Sequence, residues 1–141
     1  HTLDDLRGAA FRALADEIEC RLDGVRQTLA ERGAGADVIA ALVHDSIHDG
    51  HAVQADRAVV TAAVHDPRLR ELARHLSDRL VDLLEPTYGA DRARAAMIFI
   101  DGVMWSTQIR DVDLEQSFLE SALARILGEP LSLPSAATAT P

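Results

Sequence analysis

Apolar residues recur along most of this chain at intervals of three and four, the repeat of one helix face. Leu3, Leu6, Ala10, Leu14, Ile18, Leu22, Val25 and Leu29 hold that repeat for about seven turns. Thr2 with Asp5 three residues later forms a capping box ahead of it, and Gly33-Ala-Gly35 stops it. Asp37 is the expected N-cap of a second helix carrying Val38, Ile39, Leu42, Val43 and Ile47, with a break at Gly50. A third, rich in small residues, is expected from His51 to Val64. Asp66-Pro67 restarts the chain, with Asp as N-cap and Pro at the first helical position. The fourth helix has the clearest division of faces: Leu69, Leu72, Leu76, Leu80, Leu83 and Leu84 on one side, Arg70, Glu71, Arg74, Asp78 and Asp82 on the other. Pro86 to Gly89 is expected to end it.

The fifth segment, Asp91 to Ile109, is different. Ala93, Ala96, Met97, Ile100 and Met104 make one apolar stripe; Ile98, Phe99, Gly102, Val103, Ser106 and Ile109 make another. A helix apolar on two sides must be buried on two sides. In a short chain one side can face the chain's own core, and the other is expected to face a second copy. The sixth helix is expected over Leu114–Leu127, with Asp113 and Gln116 as a capping box and Gly128 and Pro130 as terminators. The short β-branched clusters lie in helical phase, so the expectation is an all-α fold of six helices. Residues 1–128 would form one domain and 129–141, rich in Ser, Thr, Ala and Pro toward the end, a flexible tail.

The 141 residues are enough for one domain with a real core. No apolar run approaches the roughly 20 residues that span a bilayer, and no secretory leader core opens the chain, so no membrane association and a cytoplasmic location are expected. The one cysteine, Cys20, allows no internal disulfide. The net charge of −9, with fourteen arginines and no lysine, opposes direct binding of nucleic acid by this stretch.

His44, His48 and His51 stand at spacings of four and three, so an unbroken helix would put all three imidazoles on one face. Together with Asp49 or water they could hold zinc or nickel; alternatively they are solvated histidines at a helix end, where imidazolium suits the dipole. Asp101 interrupts an apolar helix. It is either a structural carboxylate held by Arg94 or Gln108, or an acid that contacts a ligand. Tyr88, Met97, Phe99, Met104, Trp105 and Phe118 carry much of the large apolar surface, as core or as lining of a pocket. No phosphate-binding glycine loop, nucleophile elbow or paired Glu-x-x-His set is present, so an enzyme is not expected.

The order of elements resembles a known family. A capped long helix, two shorter helices with a glycine break, the Asp66-Pro-Arg-Leu69 restart, and an Ile100-Asp-Gly-Val103 helix followed by a leucine-rich one are similar to the C-terminal effector-binding and dimerisation domain of TetR-type transcriptional regulators. The opening Thr2 to Leu6 resembles the junction just after that family's helix-turn-helix. The resemblance implies a homodimer closed by a four-helix bundle of the last two helices of each subunit, with Met97, Ile98, Gly102, Ile109, Phe118, Ala122 and Leu123 at the interface. It also implies a pocket for a small-molecule effector, for which His44, His48, Phe99, Asp101 and Trp105 are the candidate contacts. Operator DNA would be bound by a helix-turn-helix N-terminal to these residues, and the effector would act by favouring one spacing of two DNA-reading heads. The expected function is therefore a ligand-sensing regulator, with a metal sensor built on His44, His48 and His51 as the alternative, and a stand-alone helical enzyme as a more distant one.

Overall fold

A computed structural model describes residues 2–129. Six α-helices form in the expected order, with no strand among the described residues: α1 (Leu3–Arg32), α2 (Ala36–His48), α3 (Gly50–Ala63), α4 (Pro67–Tyr88), α5 (Ala90–Ile109) and α6 (Gln116–Leu127). No helix of these is long and apolar enough to cross a membrane.

Local chemistry explains most boundaries. Asp5 N–H donates to Thr2 Oγ1 at 3.2 Å and Thr2 N–H to Asp5 Oδ2 at 3.1 Å, which completes the capping box of α1. Asp66 accepts from the Arg68 N–H at 2.9 Å ahead of Pro67. Three boundaries differ from expectation. Helix α4 runs through Pro86 to Tyr88, because a proline in the last turn forfeits only one helical hydrogen bond and keeps a helical φ. Helix α6 starts at Gln116 with Glu115 at its N-cap, so Asp113 and Gln116 form no capping box. Helix α2 has Gly35, not Asp37, at its N-cap, and Gly35 has no side chain to offer.

The missing cap comes from far along the chain. Gly128 takes a left-handed conformation (φ 73°) while Gly128 N–H donates to Arg125 O and Glu129 N–H to Ala124 O. This Schellman arrangement turns the chain back on itself, and its positive φ is what favours glycine at residue 128; the Arg92 guanidinium, which also approaches there, is the end of a flexible side chain. Glu129 is thereby carried to the N-terminus of α2, where its Oε2 accepts from the Ala36 N–H at 3.0 Å. Tyr88 donates its hydroxyl toward Ala34 O (2.5 Å) and Glu129 Oε1. Burial and the Glu129 charge push the Tyr88 phenol well above its ordinary value. Glu129, placed in the tail by sequence, thus belongs to the folded body; residues 130–141 lie outside the described residues.

Helix α2 packs along α6, α4 along α5, α3 across α4, and α1 mainly on α4. The core lies where α2, α5 and α6 meet, around Ile39, Val43, Val103, Leu119, Leu123 and Leu127, with Leu84 reaching in from α4. Ala40, Ala93 and Ala96 are wholly buried there and let the backbones approach. The long stripe of α1 is covered only in part. Ile18 and Leu22 are buried, whereas Leu3 and Leu6 in the first turns are 64% and 61% exposed.

Candidate functional site

Helices α1 to α5 enclose a cavity of about 930 Å³. Its walls explain a discrepancy in α4. That helix has the sharpest amphipathic pattern in the sequence, yet only Leu84 is fully buried. Leu76, Leu80 and Leu83 face the cavity instead, beside Val25 and Leu29 of α1 and Ile100 of α5. A cavity of this size with a mainly apolar lining and a few polar groups is the ordinary form of a small-molecule site.

The polar groups gather where α3 meets α5. Asp101, Gln108, Asp56 and Arg57 all line the cavity. Arg57 is committed to α5: its Nε donates to Gln108 Oε1 and an Nη donates to Gln108 O, both at 3.1 Å. Gln108 Nε2 makes a long contact of 3.4 Å with Asp56 Oδ2. Asp101 takes part in no side-chain hydrogen bond or ion pair among the described residues. The pairing with Arg94 or Gln108 expected of a structural carboxylate is therefore not made. Asp101 keeps an exposed edge, but the surrounding helices strip part of its hydration and raise its carboxyl above the ordinary 3.8; the charge of Asp56 raises it further. Glu17 and Arg21, of opposite charge and four residues apart, line the α1 side.

Trp105, the chain's single tryptophan, also lines the cavity and is 60% exposed. Asp101 and Trp105 are thus the two expected ligand contacts that the fold brings to the cavity. Phe99 packs against the buried core, one residue out of phase with the cavity wall. His44 and His48 lie away from it: their rings lie against each other at a tilt of 38°, with centroids 4.2 Å apart. Asp56, Arg57 and Gln108 were not expected at the site. The sequence signal was weak, though Asp56 is the one acidic residue in an alanine- and valine-rich helix.

The three histidines do not converge. The helix breaks at Asp49, which ends α2 and caps α3 by accepting from the His51 and Ala52 N–H groups, so His51 belongs to a different helix. Both ring nitrogens of His48 are engaged, Nδ1 with His44 O at 2.8 Å and Nε2 with Asp113 Oδ1 at 3.0 Å. The bond to His44 O, then Asp113, holds the imidazole above its usual value. No group of three or more His, Cys, Asp or Glu among the described residues is placed to hold a metal ion. His48 and Asp113 instead border a shallow notch at the α5–α6 connection.

Beside the cavity lies an apolar face without a cover in this chain. Ile98, Gly102, Trp105 and Ile109 follow one another at helical spacing along α5; Ile98 is 66% and Ile109 55% exposed. Phe118, 55% exposed, adds to the apolar surface of α6, with Ala122 one turn on and partly buried. Met97 and Leu123, expected at a subunit interface, are instead in the chain's own core. Val103 likewise points inward, so the two stripes of α5 divide differently from the simple phase assignment. A Cβ at Gly102 would meet nothing within 4 Å, and so no contact within the chain calls for glycine there. No protein-family model matches the chain, and no curated protein is significantly similar to it.

Proposed function

We propose that these residues form the effector-binding and dimerisation domain of a TetR-type transcriptional regulator. The observation that carries this reading is a large, mostly apolar cavity under a long first helix, directly beside an uncovered apolar face on the last two helices. In this reading the exposed face of α5 and α6 pairs with the same face of a second copy, giving a four-helix bundle related by a two-fold axis. Gly102 lies in the middle of that face. Glycine inside a helix costs about 0.5–1 kcal/mol relative to alanine, and close approach of a partner backbone would offset it. An effector in the cavity contacts α1 and α5 together, so its differential affinity for two arrangements couples the dimer to the direction of α1. A helix-turn-helix preceding Thr2 in the natural chain would convert that direction into operator affinity.

Light scattering tests the assembly. The chain is expected to be a dimer at micromolar concentration, and Phe118→Glu and Gly102→Asp, each on the exposed face, are expected to give folded monomers. A strictly monomeric wild type would overturn the assignment. In a chain that carries a helix-turn-helix ahead of Thr2, operator binding is expected, and it should weaken when the cavity is filled.

A further inference from the structure

We propose that the cavity selects an amphiphile with a cationic head, whose apolar body lies against α1 and α4 and whose head sits between Asp101 and Asp56. This rests on the cavity being an effector site and adds the charge of what enters it. The apolar part follows from the leucine-lined walls. The charge follows from how the polar groups are committed. Two arginines line the cavity, and one of them, Arg57, is held by two hydrogen bonds to Gln108. Arg21, the other, stands on the α1 wall one turn from Glu17, away from the α3–α5 junction, and among the described residues makes no ion pair with it. At the junction of α3 and α5, Asp101 has no cationic partner among the described residues and Asp56 has only the long contact with the neutral Gln108 amide. The two carboxylates are near enough for one to disfavour ionisation of the other. A positive group placed between them relieves that repulsion and offsets the hydration that Asp101 has lost. An anionic head would add to the repulsion, and an uncharged one would leave both acids as they are.

Three chain-matched probes separate the possibilities: decylammonium, decanol and decanoate, each below its micellar range and titrated at neutral pH. Trp105 lines the cavity and is the only tryptophan, so its fluorescence reports occupancy. Decylammonium is expected to bind at least about ten-fold tighter than decanol, equivalent to about 1.4 kcal/mol, with decanoate weakest. Asp101→Asn and, separately, Asp56→Asn should each shrink the ratio of ammonium to decanol affinity. Decanoate binding as tightly as decylammonium, or a preference unmoved by both substitutions, would overturn the proposal while leaving the cavity as an effector site. If none of the three probes binds, the cavity is no site for such amphiphiles and both ideas fall.

Discussion

Substituting Glu129 by alanine should destabilise the whole domain, although this residue follows the last helix. Its carboxylate supplies the cap that Gly35 lacks, accepting from the N–H of Ala36, a residue only 2% exposed. Loss of a helix N-cap costs about 1 kcal/mol. The bond to Tyr88 adds about 0.5–1 kcal/mol, at the low end because the single hydroxyl proton can turn fully to Ala34 O once the carboxylate is gone. The sum is about 1.5–2 kcal/mol, and in a domain of this size each kcal/mol moves the melting temperature by about 4 °C. Glu129→Ala should therefore lower Tm by about 6–8 °C and shift the urea midpoint without changing its slope. Glu129→Gln keeps an acceptor oxygen and should lose about half as much. A double-mutant cycle with Tyr88→Phe should return a coupling of about 0.5–1 kcal/mol. If Glu129→Ala melts within about 0.5 kcal/mol of wild type, the carboxylate does not cap α2 in solution and the tie between the chain's end and α2 is wrong.

Further outcomes follow from the same contacts. Asp101→Asn should raise Tm at neutral pH, because a carboxyl raised above 3.8 in the fold is ionised there at a cost; the gain should vanish as pH falls through the folded-state value toward 3.8. The sign reverses for His48. Its imidazole is raised above 6.5 in the fold, so the stabilisation is full below 6.5 and lost as pH rises through the folded-state value. Thermal melts of Asp113→Asn should accordingly differ most from wild type just below pH 6.5 and converge as pH rises through the folded-state value. Leu123→Ala, at a wholly buried position between α2, α5 and α6, should cost about 3 kcal/mol in urea unfolding; a loss under about 1 kcal/mol would mean that the core is loosely packed. Calorimetric titration of tag-free protein with zinc or nickel should show no site tighter than about 10 µM, since the helix break parts His51 from His44 and His48.

Much of the helical frame was legible because its signals are local. Thr2 with Asp5, and Asp66 with Pro67, act within one turn, and apolar spacing reports the phase of a helix wherever that helix ends up. The same signals failed where a competing contact came from elsewhere. Asp113 and Gln116 had the spacing of a capping box, but Asp113 is engaged by His48, 65 residues away. Asp101 was singled out as the residue out of place in α5. Its companions Asp56 and Gln108 were not, since only the crossing of α3 and α5 brings them together.

What the sequence alone determined is the set of six helices, the order in which they follow, and the side of each that avoids water. The tertiary structure decided what each of those sides meets. Leu123 of α6 meets a packed core, Leu80 of α4 a cavity, and Ile98 of α5 nothing within its own chain, yet each stands in an apolar repeat of helical spacing. The reason is that hydrophobic burial is non-directional and its periodicity is written along one helix at a time. Whether an apolar side closes, leaves a hollow or stays open depends on the distances between helices. Those are set by contacts such as Glu129 on Ala36, made across 93 residues of chain.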